Sequence, residues 1–335
     1  MASLQPDIPN PQRLCYFDPA DPPQWRPRSP APLSTAPAVQ HQPSDRINLI
    51  SWNIDFQVPA PNERMSTALQ YLDTLIAEHN NQYDSPTVIF FQEMVASDLN
   101  LIEQALWIRE KFYVTDISPN NWRSSYGTVT LIDKRLTIQR VFRIPYALSR
   151  MQRDVLFVDV VLNTSSAGEQ IVRLCNTHLE SLASGIIARP SQLKLASEFM
   201  QGTGRGADAL PIPHAAILAG DLNAFEPEDA AAPMDCGLTD AFLVLGGTDG
   251  TDEAYTWGKQ CPAWSAGKFP DARMDKVLFC GGVEALSYRK IGEGLKARVE
   301  LYNSHDSFDG ASEDAFEELW VTDHAGLNAE FRLLP

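Results

Sequence analysis

The chain has 335 residues, 44% hydrophobic and 21% charged, enough to bury a sizeable core. Its 27 Lys and Arg stand against 43 Asp and Glu, a net charge of -16. That excludes a protein that holds nucleic acid by bulk positive charge, but leaves open an enzyme with a local basic groove.

The charge is unevenly spread. Residues 1–205 hold 20 acids and 18 bases, whereas residues 206–335 hold 23 acids and 9 bases. Up to Arg46 the chain is rich in proline, with 11 of its 24 prolines before Asn48. Such a segment offers little backbone pairing and few apolar residues, so it reads as a disordered tail over 1–46, ahead of one large α/β domain over 47–335. Ile47–Trp52 reads as a buried strand. Met65, Leu69, Leu72 and Ile76 recur at helical spacing and predict a helix over Asn62–His79. Thr87–Phe91, Tyr126–Ile132, Val155–Leu162 and Ile171–Thr177 read as further strands, and Arg189–Met200 as a second helix. His214–Ala219, Lys276–Cys280 and Gly326–Leu333 return to strand. Several neighbouring strands lack a helix between them, so mixed and antiparallel pairing is expected. Cys15, Cys175, Cys236, Cys261 and Cys280 form no Cys-x-x-Cys pair, which predicts neither a disulfide framework nor a structural zinc, and an intracellular compartment. No leader-like run and no membrane-length apolar stretch is visible.

Polar residues gather where the predicted strands end: Asn53, Gln92-Glu93, Asn176-Thr177-His178, Asp221-Leu222-Asn223, Arg273-Met274-Asp275 and Thr322-Asp323-His324. Taken singly, each has a plain reading. Asn53 is a turn residue, Glu93 a surface acid, His178 a structural histidine, and Gly220-Asp221-Leu222-Asn223 a turn. Taken together they are the groups that phosphoester hydrolysis needs. Carboxylates hold a hard cation, a carboxylate and an amide direct water, and imidazoles meet charge on phosphate oxygens.

The ordered set resembles the endonuclease/exonuclease/phosphatase (DNase I-like) superfamily. The resemblance is carried by Leu49-Ile50-Ser51-Trp52-Asn53, Phe91-Gln92-Glu93, Gly220-Asp221-Leu222-Asn223 and Thr322-Asp323-His324. Asn176-Thr177-His178-Leu179-Glu180-Ser181, Gln192-Leu193-Lys194, Tyr255-Thr256-Trp257 and Arg273-Met274-Asp275-Lys276 are similar to its 5′-tyrosyl-DNA phosphodiesterase branch. The resemblance implies a four-layer α/β sandwich, two packed mixed sheets flanked by helices. It also implies a Mg²⁺-dependent hydrolase, with Mn²⁺ as the alternative ion, acting as a monomer in the nucleus or cytoplasm on DNA with a 5′-tyrosyl adduct. Glu93 would be the main metal ligand, with Asn53 and Asp323 close to the metal. Asp221 would activate or orient water with the help of Asn223. His178 and His324 would donate to phosphate oxygens, and Asp275 would hold His324.

For the substrate, Trp257 is expected as a stacking platform because it sits in the branch motif, with Trp122 as a second candidate. Where animal members carry a basic residue after Gly-Asp-x-Asn, this chain has Phe225, which would stack on a base or serve as core. Lys134, Arg135, Arg140, Arg143, Arg150 and Arg153 fall in an interval without Asp or Glu. That interval is either a solvated hairpin face or a strip tracking phosphates, with Arg140 and Arg143 as its centre. Two further readings stay open: the same site acting on an RNA–protein link, abasic DNA or an inositol phosphate, and a non-catalytic nucleic-acid-binding module.

Overall fold

The computed structural model describes residues 4–30, 44–164, 168–207, 210–262, 266–300 and 316–335. The described chain begins with three short strands, β1 (Asn10–Pro11), β2 (Leu14–Asp18) and β3 (Gln24–Arg28), followed by β4 (Arg46–Asn53). Helix α1 (Pro61–Gln82) starts on a proline, whose missing N–H costs nothing in a first turn, and buries Met65, Ala68, Leu69, Leu72 and Ile76 along one face. Then come β5 (Thr87–Met94), α2 (Ala96–Gln104), α3 (Leu106–Lys111), β6 (Phe112–Val114), β7 (Gly127–Asp133), β8 (Thr137–Pro145), β9 (Asp154–Thr164) and β10 (Gly168–His178). After α4 (Ala188–Met200) follow β11 (Ala215–Asp221), α5 (Pro227–Asp235), β12 (Thr239–Asp240), α6 (Ala241–Val244), β13 (Asp275–Gly281), β14 (Val283–Ile291), β15 (Lys296–Glu300), β16 (Phe316–Trp320) and β17 (Gly326–Leu333).

Two large mixed sheets result, ordered β1-β8-β9-β10-β11-β13-β12 and β14-β17-β4-β5-β7-β6-β2-β3, with β15 and β16 paired apart. Strand β4 runs parallel to β5, and β10 parallel to β11; the other pairs are antiparallel. Leu49, Val88, Phe90, Val158, Leu174, Ile217, Val277 and Leu327 form the core between the sheets. Ile50, Trp52, Ile89 and Phe91 point the other way, into α1 and α2, while Cys175, Ala216 and Leu218 point into α4. This is the expected four-layer sandwich. Among the described residues no helix is long and apolar enough to cross a membrane.

The alternation of side chains along a strand places the site. Leu49 lies in the inter-sheet core, so Asn53, four residues on, faces the same side at the strand's end. The same count runs from Leu174 to His178, from Ile217 to Asp221 and from Phe279 back to Asp275.

The predicted tail is corrected. Residues 10–28 are strands: β1 pairs with β8 (Asn10 opposite Arg143) and β2 pairs with β3 and β6, so one segment closes an edge of both sheets. Trp25 donates to the Glu103 carbonyl at 3.2 Å, and the Arg109 guanidinium lies 4.6 Å over Phe17. Tertiary packing overrides the local cost of the prolines. Residues 31–43 of the predicted tail lie outside the described residues.

Candidate active site

Asp221 closes β11 at the centre. Its Oδ2 lies 3.2 Å from His178 Nε2 and accepts from Asn53 Nδ2 at 3.0 Å, and its Oδ1 accepts the Asn223 backbone N–H at 2.8 Å. Burial opposes its charge, but His178, His324 and the Asn223 amide hold the carboxyl well below its ordinary range. Asn223 adopts a left-handed φ of 48°, and its Nδ2 ties back to the Leu179 carbonyl at 3.2 Å. Beside them Gly220 allows a close approach: a Cβ there would stand 1.8 Å from the Thr177 carbonyl oxygen.

The two histidines differ in charge. His324 Nδ1 stands 2.7 Å from Asp275 Oδ2; burial disfavours the cation, yet Asp275, Asp323 and Asp221 raise its pKa well above the ordinary value. These neighbours favour its protonated form. His178 Nδ1 stands 2.6 Å from Arg153 Nη1. A guanidinium only donates, so Nδ1 is the acceptor and Nε2 carries the proton. Burial, then the Arg153 charge, lowers the His178 pKa to about 4, so this ring is neutral. Its Nε2–H looks toward Asp221 and, at 3.6 Å, Glu93 Oε1. The two imidazoles thus meet at Asp221, whose Oδ2 lies 3.2 Å from His178 Nε2 and 3.9 Å from His324 Nε2.

Glu93 sits at a register shift between β5 and β7 with φ 59°, a left-handed conformation rare for a glutamate and the kind of local strain found at functional positions. Its Oε2 accepts the Phe56 N–H at 3.1 Å. Burial and the nearby Asp55 and Asp221 carboxylates push its pKa up to about 7, against the Arg153 charge. The carboxylates thus carry more negative charge than their own neighbours neutralise. One ligand atom each from Glu93, His178 and Asp221 lies within 4.8 Å of the others, as do those of Asp221, Asp275 and His324. Of these groups the carboxylate oxygens fit a hard divalent cation, which would let Glu93 ionise, whereas His178 and His324 have their Nδ1 atoms engaged by Arg153 and Asp275. Asn53 lies beside this cluster: its Oδ1 accepts the Asp55 N–H at 2.9 Å, and its Nδ2 donates to Asp221 Oδ2. Asp323 Oδ2 accepts Trp257 Nε1–H at 2.7 Å, which leaves Oδ1 at 3.6 Å from His324 Nε2.

The substrate expectations fare unevenly. Trp257 is half-buried at the rim, bridged by its backbone to His324 and Ala272. Phe225, also half-buried, has the Arg189 guanidinium 4.6 Å from its ring centroid, so one face is already covered. Arg143 is corrected: it is wholly buried, bonded to Asp116 at 3.0 Å and Asp154 at 2.8 Å, and cannot touch a substrate. Arg140 is exposed, but it lies opposite Asp159 on β9, which in turn lies opposite Arg173. That is five residues short of His178 along β10, roughly 17 Å from the site. Trp122 is a buried core aromatic rather than a platform. The basic interval forms no phosphate strip, because Arg135 and Arg143 pair with the acids that flank it, Asp133 and Asp154.

Other residues shape the site without having been predicted. Arg64, on the buried face of α1, donates to the carbonyls of Ile54, Asp55, Val58, Pro59 and Val321, tying the loop after β4 to the one before Asp323. Glu180 accepts from Ser149 Oγ and the Arg150 and Met151 amides, fixing the turn that presents Arg153. Asn176 joins the sheets beneath Glu93 by donating to the Phe91 and Val129 carbonyls while its Oδ1 accepts from Gln92. Only Glu180 and Asn176 left a trace in the sequence, as members of the stretch around His178.

Residues 50–324 match the Endonuclease/Exonuclease/phosphatase family. No curated protein matches the chain. Among solved structures, truncated Caenorhabditis elegans TDP2 is 21% identical with a TM-score of 0.60, covering 86% of this chain and 97% of that one. D. rerio TDP2 complexed with single strand DNA product is 18% identical with a TM-score of 0.57, over 86% and 100%. The Bacteroides thetaiotaomicron mannosyl-6-phosphatase Bt3783 is 16% identical with a TM-score of 0.51, over 85% and 99%. With that match over most of its length, and with carboxylates and imidazoles converging on one metal-ready cleft, the chain belongs to the endonuclease/exonuclease/phosphatase family as a metal-dependent phosphoesterase.

Proposed function

We propose that the chain hydrolyses 5′-phosphotyrosyl bonds at DNA ends, with Mg²⁺ as its ion, leaving a 5′-phosphate and free tyrosine or a tyrosyl peptide. The observation that carries this reading is the pair of imidazoles converging on Asp221, each with its Nδ1 already engaged, His178 by Arg153 and His324 by Asp275. His178 presents its Nε2–H to the site, and the carboxylates around His324 favour that ring's protonated form. Such a pair stabilises charge on phosphate oxygens far better than it protonates a leaving group. It suits a phenol, whose pKa is about 10, better than a sugar alcohol. Asp221, held ionised and aligned by Asn53 and Asn223, would direct water, and the cation would offset charge on the phosphate. The sequence motifs around His178 and Trp257, and the fold shared with the TDP2 structures, support the same choice. The enzyme would act as a monomer, at DNA in the nucleus or cytoplasm.

A second reading rests on the placement of Arg140 and Arg143 away from the cleft, which favours a short phosphoester over a long strand. One panel separates the two: 5′- and 3′-phosphotyrosyl oligonucleotides, an abasic duplex, an RNA–peptide link, an inositol phosphate and a sugar phosphate, each with Mg²⁺ or EDTA. Mg²⁺-dependent release from the 5′-tyrosyl substrate is expected. Turnover of the sugar or inositol phosphate alone would overturn the proposal.

A further inference from the structure

A small cavity opens beside His178, with a volume of about 20 Å³, lined by Trp122, Tyr126, Thr128, Met151, Arg153 and His178 among others. It has room for one oxygen-sized group and none for a ring. Two of its lining side chains, Trp122 and Arg153, hold a buried Nε–H donor without a hydrogen-bond partner. Both residues are more than nine-tenths buried. Arg153 gives one Nη to the neutral His178 ring and the other to Met151 Sδ at 3.6 Å, and its guanidinium lies 5.1 Å over Tyr126. Among the described residues no carboxylate pairs with it. The acid that lines the same cavity, Asp154, is taken by Arg143 at 2.8 Å. A buried cation without a direct ion pair, beside a second orphaned donor, is costly unless an acceptor arrives to complete both.

The indole is held there by design of the backbone. A Cβ on Gly127 would stand 2.4 Å from the Trp122 ring, so only glycine lets the ring lie where it does. We propose that the Trp122–Arg153 cavity is a substrate subsite that takes one oxygen of a second oxyanion, a phosphate or carboxylate flanking the scissile phosphoester. The assignment rests on the phosphodiesterase reading above and narrows it: the enzyme prefers substrates carrying a further anion one group away from the bond it breaks. That anion has two sources, the next phosphate of the nucleotide strand or a carboxylate on the leaving side.

Three substrates distinguish them: p-nitrophenyl thymidine 5′-phosphate, its 3′-phosphorylated form, and the 5′-ester in which a p-carboxyphenyl group leaves. Wild type should show a KM roughly tenfold lower for one of the two anion-bearing substrates than for the plain one. Trp122→Phe keeps a ring and removes the donor, and should erase that advantage while leaving KM and kcat for the plain substrate unchanged. Equal effects on all three substrates, or none, overturn the subsite. The indole N–H resonance of Trp122, assigned by its loss in Trp122→Phe, gives a readout free of turnover. Titration of the metal-free wild type with inorganic phosphate should shift it, and Arg153→Lys should abolish the shift. A resonance unmoved by phosphate means a resident water fills the cavity, and the proposal fails. A shift without turnover of any substrate rejects the phosphodiesterase reading and leaves the anion subsite standing.

Discussion

Arg153 Nη1 lies 2.6 Å from Nδ1 of His178, and this contact sets the tautomer of the ring that faces Asp221 and adds to burial in keeping it neutral. Replacing Arg153 with Met removes the donor and the nearby positive charge together. The His178 pKa, lowered to about 4 in the wild type, should rise, although burial still opposes the cation. The wild type therefore keeps a neutral His178 down to about pH 4, whereas the variant should show an acid limb at higher pH. A loss of kcat on the order of 10–100-fold is expected at neutral pH. A pH–rate profile checks both, and an unshifted acid limb would remove Arg153 from this role.

In the proposed reaction Glu93 would hold the cation and Asp221 would direct water. Asp221→Asn should lower kcat by about 10²–10⁴-fold, because an amide cannot take a proton from water. Glu93→Gln should abolish the rise in melting temperature that Mg²⁺ gives the wild type, since ligand binding to the folded state is what raises it. Calorimetry with Mg²⁺ and with EDTA reads this without any substrate.

Arg143 belongs to stability rather than to the substrate. Arg143→Met leaves Asp116 and Asp154 buried without their partner, which should cost about 3–5 kcal/mol. Urea unfolding measures it. Arg140→Glu, a surface change on a distant strand, should leave the salt dependence of KM as it is.

Asp98 gives a pH dependence of known sign. Burial pushes its carboxyl up to about 6, against the Val95 amide and the Arg64 charge. Between the unfolded value of about 3.9 and 6 the folded state binds the proton more tightly. This contribution to stability is therefore full below that window and is lost as pH rises through 6. Asp98→Asn should raise stability at pH 7.5, by at most about 3 kcal/mol, and change little at pH 4. Melting curves at the two pH values test the sign.

Gly220→Ala should damage the site through the backbone. Its Cβ would meet the Thr177 carbonyl at 1.8 Å, between the strands that end in His178 and Asp221. Melting temperature and kcat should fall together, and an unaffected kcat would show that the strand ends tolerate separation.

The strands that hold the catalytic groups were legible because buried strands are short apolar runs. The polar residue that ends such a run stands out, as Asn53 does after Ile50 and Asp221 after Leu218. Their chemistry was legible because it sits in that order along the chain. Arg153 and Arg64 were not assigned their roles. Each acts on a residue distant in sequence or on backbone carbonyls, and neither partner is encoded beside it. Arg143 misled for a related reason. On a mostly buried strand it looks basic and exposed until Asp116 and Asp154 are folded against it. Strands β1 to β3 were missed because proline argues against pairing inside a sheet and says much less about its border.

That border gives the N-terminal segment its meaning. Strand β3 is the outermost strand of its sheet, and it carries Arg26, Pro27 and Arg28. A strand with a proline and two charges is a poor template for another chain to pair with. Strand β1 brings Pro11 to the edge at β8 in the other sheet. The composition that suggested a disordered tail thus works as a blunt hem sewn to both sheets, guarding against edge-to-edge aggregation. A fragment starting at residue 47 would bare Phe112–Val114 and Thr137–Pro145 as open edges, and should self-associate more readily than the full chain.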